Sequence, residues 1–373
     1  MIRFLIALLA LLFLPSALCA FQNYDIDDGL SQSVVFDIVQ DQQGFIWIST
    51  QAGLNRFDGN EFTVFTASNE TNSLANNYIY PLAIDNESTL FIGTRNSGVN
   101  QLALHNYQFS EPLLKERRIT SLLVAQQQVY IGTYDGSLFR YDKRAEQLET
   151  LITGLKKPIY ALSKIADILW IGTHGAGLLH YDLINNQQIN SVFSGFAEPV
   201  DIHASIFAIK QSSDGSIWLA SQGGGLYKIE LSTKTITQWL TSNDDNSGLS
   251  SNEIRDIEFD SQGLVWLATR GGGINVYDPI DASFTVLAHD PFDKYSLAHD
   301  RVYSIYRDSS DIMWFGTAHG ISKLDPASLQ FSKLKKPTPL SSNDAWALFE
   351  DSKQRIWYGS WGGGIDILDQ QLN

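Results

Sequence analysis

One unit recurs along this chain of 373 residues, and it leaves few folds open. Its clearest copy reads Ile254-Arg-Asp-Ile-Glu-Phe-Asp260, Ser261-Gln-Gly263, Leu264-Val-Trp-Leu-Ala-Thr269, Arg270-Gly-Gly-Gly273, Ile274-Asn-Val-Tyr-Asp278. The aromatic anchors of the eight copies are Trp47, Phe91, Tyr130, Trp170, Trp218, Trp266, Trp314 and Trp357, at spacings of 44, 39, 40, 48, 48, 48 and 43 residues. Self-similarity at such a period marks solenoids and propellers. Within each copy side chains alternate with period two, the strand signature. The residue two beyond the anchor is always small (Ser49, Gly93, Gly132, Gly172, Ala220, Ala268, Gly316, Gly359), so something packs closely there, and Thr or Ser always follows.

Each copy supplies four strands. Strand A ends in an acid, as in Phe36 to Gln40 followed by Asp41, and strand B carries the aromatic. Strand C starts after a glycine cluster such as Gly223-Gly224-Gly225, and strand D is short, as in Phe62 to Phe65 or Phe284 to Leu287. The glycines suit hairpin turns that need positive φ. Four antiparallel strands every 40 to 48 residues predict an all-β fold, a β-propeller of four-stranded blades. Ring closure removes the exposed edges that an open stack would leave. Phe21-Gln22-Asn23-Tyr24 precedes the first strand A without a partner in its own copy, and is expected to close the ring from the N-terminus. The eighth copy stops after strand C, with four residues beyond Leu368-Asp369. The arithmetic allows eight blades, or seven with the eighth copy starting something else.

The first twenty residues read differently. Arg3 precedes an apolar run from Phe4 to Leu14, Pro15 breaks it, and Ser16-Ala17-Leu18-Cys19-Ala20 offers small residues for cleavage. As a helix that run reaches about 16 Å, short of the roughly 30 Å hydrocarbon core. A secretory signal peptide over residues 1–20 and a propeller over 21–373 are expected, with a periplasmic location. Cys19 is the only cysteine, so a mature chain has neither disulfide nor thiolate metal site, and its core must hold the fold unaided. The net charge of −15 argues against nucleic-acid partners.

Three segments carry a family resemblance: Asp28-Gly29-Leu30-Ser31, Gln40-Asp41-Gln42-Gln43-Gly44-Phe45-Ile46-Trp47-Ile48-Ser49-Thr50 and Gly53-Leu54-Asn55-Arg56-Phe57-Asp58-Gly59. They resemble the two-component regulator propeller family, the periplasmic sensor region of hybrid histidine kinases and related diguanylate cyclases. The likeness extends over all eight copies and is weakest in copies two and three, where Phe91 and Tyr130 replace Trp. It implies two propellers, an immunoglobulin-like domain, a transmembrane helix and a cytoplasmic kinase or cyclase, with oligosaccharides as ligands of several members. This chain departs from that plan after its eighth copy, and is expected to be either a truncated sensor, the favoured reading, or a free-standing propeller.

In a propeller the B–C turns and D–A connections share one face, where variable residues on constant turns write specificity. Eight residues just after strand B are the candidate ligand-binding set: Arg95, Tyr134, Asp135, His174, Gln222, Arg270, His319 and Trp361. Arg95 and Arg270 suit a carboxylate or sulfate, and Trp361 suits stacking on a sugar. His174 and His319 read as matching positions of copies four and seven. The in-phase tryptophans are expected between blades, and Asp41, Asp260, Asp308 and Asp351 in turns. The sequence holds no nucleophile elbow, Walker loop, zinc helix or nicotinamide fingerprint, and its glycine triplets join strands without a helix to follow.

The sequence therefore predicts a periplasmic ligand-sensing propeller of a two-component or cyclic-di-GMP receptor, neither an enzyme nor cofactor-dependent. An oligosaccharide or other small-molecule ligand, a membrane-anchored output domain and a pairing of identical sensors complete the expectation. A non-enzymatic scaffold for protein partners is the competing reading, and a propeller lyase or glycosidase a third.

Overall fold

The computed structural model describes residues 21–69, 72–189, 192–193, 196, 202–241, 248–330, 345–360 and 364–368. The expected signal peptide and Trp361 lie outside them. Apart from two short 3-10 helices, the regular structure described is all strand, in seven four-stranded antiparallel sheets and one three-stranded sheet.

Blade one runs outward through Val35–Gln40, Ile46–Thr50, Leu54–Phe57 and Phe62–Phe65. The innermost strands of blades one to seven are Val35–Gln40, Ile79–Ile84, Ile119–Ala125, Ile159–Ile165, Ser205–Gln211, Ile254–Phe259 and Val302–Arg307. Each touches the next, and the seventh touches the first. The ring is closed and seven-bladed. Its seventh blade is completed by Gln22–Tyr24, antiparallel to Gly320–Leu324 with Asn23 opposite Ser322. Phe21 N donates to Tyr295 O (2.8 Å), Asn23 Nδ2 donates to Ser296 O (2.9 Å), and Ser322 Oγ donates to Asn23 Oδ1 (2.7 Å). These bonds hold the earliest strand to the latest blade.

The eighth copy takes no place in this ring. Its strands Ala345–Glu350, Ile356–Ser360 and Gly364–Leu368 form their own sheet, in a compact unit separate from Cys19–Pro326. Leu348 and Ile365 are 68% and 65% exposed, whereas their counterparts in blade six, Ile257 and Ile274, are wholly buried.

The core lies between blades, where the alternating faces of neighbouring sheets meet. Trp47 packs with Ile79 and Leu90 of blade two, and Trp218 with Ile257 and Leu267 of blade six. Trp266 meets Phe315 of blade seven at 5.8 Å. Burying side chains of this size contributes about 2–3 kcal/mol each. The in-phase aspartates fix these rings from the turns. Asp41 Oδ1 accepts from the N–H groups of Gln43 and Phe45, while Oδ2 accepts from the Trp47 indole at 2.8 Å. Asp260, Asp308 and Asp351 serve Trp266, Trp314 and Trp357 in the same way. The small residue after the anchor has its reason too. A Cβ on Gly172 would sit 2.8 Å from Ala161 Cβ and 2.9 Å from the carbonyl of Ile206 in the next blade.

Candidate ligand-binding site

Each innermost strand breaks register at the same place. The pairing with strand B slips between Val35 and Asp37, Ile79 and Leu82, Ile119 and Ser121, Ile159 and Ala161, Ile206 and Ala208, Ile254 and Asp256, and Val302 and Ser304. A bulge leaves one residue unpaired and re-aims its side chain. The residue before each bulge is a fully buried Val or Ile, so the bulged residue leaves the core. The seven residues are Phe36, Tyr80, Thr120, Tyr160, Phe207, Arg255 and Tyr303.

Their contacts run from blade to blade around the channel mouth. Phe36 lies 5.0 Å from Tyr80 and 5.8 Å from Tyr303, centroid to centroid. Tyr78 packs on Tyr80 at 4.9 Å. Tyr160 stacks on Phe207 at 5.0 Å, and the Arg255 guanidinium lies 4.0 Å over Phe207. Arg118 lies over both Tyr80 and Tyr134, 5.0 and 4.1 Å from their centroids, and donates to the Tyr80 hydroxyl at 3.1 Å. The result is a collar of aromatic faces set with arginines.

Burial pushes the Tyr78 phenol up to about 12, so it stays protonated. Burial also raises Tyr160, while the charges of Arg118 and Arg255 pull the other way. Arg255 is held below the ordinary guanidinium value, chiefly by burial and then by the charge of Arg270.

The B–C turns seat the sequence-predicted residues beside this collar. Backbone N–H groups of Arg95, Tyr134, His174 and Arg270 donate to the carbonyls of Tyr78, Arg118, Pro158 and Glu253, which lead into the innermost strands. Arg95 lies 4.7 Å over Tyr78, and His174 lies 5.9 Å from Tyr160 and 6.3 Å from Phe207. Arg270 reaches Glu253 at 3.4 Å. Gln222 sits at the end of its strand and bridges Glu253 of the next blade. Asp135 is engaged by its own turn, through Thr133, Ser137 and an ion pair with Arg117.

His319 is placed differently. The turn from Thr173 to Gly177 has three intervening residues, and that from Thr317 to Gly320 has two, so Ala318 rather than His319 occupies the position of His174. His319 instead lines a separate cleft of about 430 Å³ with Asn23, Asp25, His289 and Lys294. Among the described residues no group of three or more His, Cys, Asp or Glu is arranged to hold a metal ion.

Further along the innermost strands lie paired acids. Asp37 accepts from the N–H groups of Ile38 and, across the blade boundary, Leu82 (both 2.8 Å). Asp256 accepts from Ile257 and Ile305 (2.8 and 2.9 Å). Burial outweighs these bonds and pushes Asp37 up to about 7 and Asp256 to about 6. Lys210 Nζ donates to Glu258 Oε2 nearby at 2.7 Å.

The bulged residues escaped the sequence reading, although their signal was present. Val35-Phe36-Asp37, Ile159-Tyr160-Ala161, Ile206-Phe207-Ala208, Ile254-Arg255-Asp256 and Val302-Tyr303-Ser304 each set a large residue between a branched apolar one and a small or polar one.

Comparison with known proteins places this architecture. The model of the two-component regulator propeller family matches residues 29–52, 248–271, 296–319 and 339–362. A segment of 45 residues is 49% identical to "Histidine kinase P4" of Formosa agariphila, covering 12% of this chain and 3% of that protein. The crystal structure of the extracellular domain of a hybrid two-component system of B. thetaiotaomicron superposes with a TM-score of 0.71 at 22% identity, covering 95% of this chain and 48% of that one. The chain thus spans about half the length of that structure. A virginiamycin B lyase from Staphylococcus aureus, in a catalytically inactive form, shares the propeller fold with a TM-score of 0.61 at 12% identity, over 82% of this chain and 98% of its own. No helix among the described residues is long and apolar enough to cross a membrane.

Proposed function

This chain carries two-component regulator propeller repeats, and from that premise we propose that its ring is a ligand-sensing module acting outside the cytoplasmic membrane. Its ligand is an oligosaccharide held without chemical transformation at the collar. The single observation that carries this reading is the row of bulges that places Phe36, Tyr80, Tyr160, Phe207 and Tyr303 around one opening. Aromatic faces stack on the apolar faces of sugar rings, and the arginines among them supply hydrogen-bond donors. The signal passes to a membrane-anchored output domain, a kinase or cyclase, by a shift between two arrangements of paired sensors. Ligand drives such a shift only through different affinities for the two arrangements.

Thermal denaturation of the purified protein against plant, algal and host-glycan oligosaccharides tests the proposal. A ligand at a hundred times its dissociation constant adds about 2.7 kcal/mol of stability. A specific upward shift that is lost in Tyr160→Ala supports the reading. Silence across the panel from folded protein counts against it.

A further inference from the structure

Resting on that reading, we infer that the collar selects an acidic oligosaccharide, one bearing carboxylate or sulfate groups, through Arg118 and Arg255 on either side of Tyr160. The protein as a whole is strongly acidic, with 41 Asp and Glu against 26 Lys and Arg, yet Arg95, Arg118, Arg255 and Arg270 gather around one opening. Of these, only Arg270 has a carboxylate partner among the described residues, Glu253 at 3.4 Å. Arg118 and Arg255 are half-buried, and the Nε of each is buried without a hydrogen-bond partner. Both lie flat over aromatic rings, Arg118 on Tyr80 and Tyr134 and Arg255 on Phe207.

Stacking fixes the plane of a guanidinium while leaving N–H edges free. A planar fork of donors is matched by a carboxylate or sulfate and poorly used by a neutral hydroxyl. The lowered affinity of Arg255 for its proton reflects burial and a second cation close by, a situation that an arriving anion relieves. Tyr160, stacked on Phe207 between the two arginines, offers a sugar ring a face while its anionic substituents reach either side. Within a net negative surface this opening is the one place described where unpaired arginines cluster, so charge also excludes ligands lacking the anion from competing equally.

Isothermal titration of the purified protein decides the matter, with three probes: oligogalacturonate for the carboxylate source, sulfated galactan oligosaccharide for the sulfate source, and neutral galacto-oligosaccharide of matched length. One acidic series is expected to bind at least 30-fold more tightly than the neutral one, and its affinity to fall as salt rises. Arg118→Gln and Arg255→Gln are each expected to weaken it 10- to 100-fold with the melting temperature kept. Arg144→Gln, on an outer turn, is expected to change nothing. Neutral oligosaccharide bound as tightly as the acidic series would overturn the charge assignment and leave the sensing proposal standing. Acidic binding insensitive to both arginine changes would also overturn the assignment. Folded protein that binds none of the three would overturn both.

Discussion

Lys143 Nζ of blade three lies 2.7 Å from Asp85 Oδ2 of blade two, in the position an indole N–H takes beside four other turn aspartates. Asp85 keeps the usual turn bonds, accepting from the N–H groups of Glu87 and Thr89. Its blade carries Phe91 where those others carry Trp, and Phe has no donor to offer. A cation from the neighbouring blade fills the vacancy, with both side chains nearly inaccessible.

That substitution of partners can be weighed. Removing one member of a buried pair leaves the other charge unsatisfied and costs about 3–5 kcal/mol. Lys143→Met is therefore expected to destabilise the ring by about 3 kcal/mol in chemical denaturation. Asp85→Asn combined with Lys143→Met is expected to cost clearly less than the sum of the single changes. Additive costs would show that the two residues do not act as a pair.

Three buried groups should give stability opposing pH dependences in one window, between about pH 4 and pH 7. Asp37 is raised from 3.8 to about 7 and Asp256 to about 6, mainly by burial. Their contribution is fully present below the unfolded value and is lost as pH rises through the folded one. His180 moves oppositely: burial against Trp170 lowers it from 6.5 to about 4. Its contribution is present above 6.5 and is lost as pH falls through 4. Asp37 is partly accessible, so its contribution should amount to roughly 1–2 kcal/mol rather than the full shift. In melting curves from pH 4 to 7, Asp37→Asn is expected to make the slope of stability against pH more positive, and His180→Leu to make it more negative. Unchanged slopes in both variants would refute this assignment.

The ring should stand without the eighth repeat, because closure is complete within Cys19–Pro326. A chain ending at Pro326 is expected to melt cooperatively, within a few degrees of the longer protein. Deleting residues 21–25 instead should lower stability by at least 2 kcal/mol. It removes a strand and also Phe21, buried at 5.8 Å from Phe315. A larger loss from the C-terminal cut than from the N-terminal one would show that the eighth repeat supports the ring.

Gly172→Ala should cost about 1–3 kcal/mol, the range of overpacking changes. Its new methyl would meet Ala161, Ile206 Cγ2 and a backbone carbonyl, all under 3.0 Å. Blade five accepts Ala220 at the same position, so Ala220→Gly is the informative partner. If blade spacing is set locally, the two variants should differ in sign or size in parallel melts.

Most of the fold was readable because its signals are local and repeated. Period-two alternation marks strands, small residues after the anchors mark close approach, and Phe21 to Tyr24 stood out as a strand without a mate. The number of blades was not readable. It depends on whether strand Gly320–Leu324 or a later one pairs with Gln22–Tyr24, a contact some 300 residues apart in sequence. The candidate site was legible in part as a place in the fold. Arg95, Tyr134, His174 and Arg270 border the collar because turn residues announce themselves, whereas Phe36, Tyr160 and Phe207 resemble core aromatics until a bulge turns them out. His319 was misaligned with His174 because a turn shortened by one residue leaves the composition of the turn almost unchanged.

The seam between the last blade and the first passes through the collar itself, where Tyr303 and Phe36 face each other at 5.8 Å. Along the chain Phe36 comes early and Tyr303 only after six blades have followed. An unfinished ring therefore has no complete collar. The collar is thus a feature of the closed circle, present only when the first blade and the last have met.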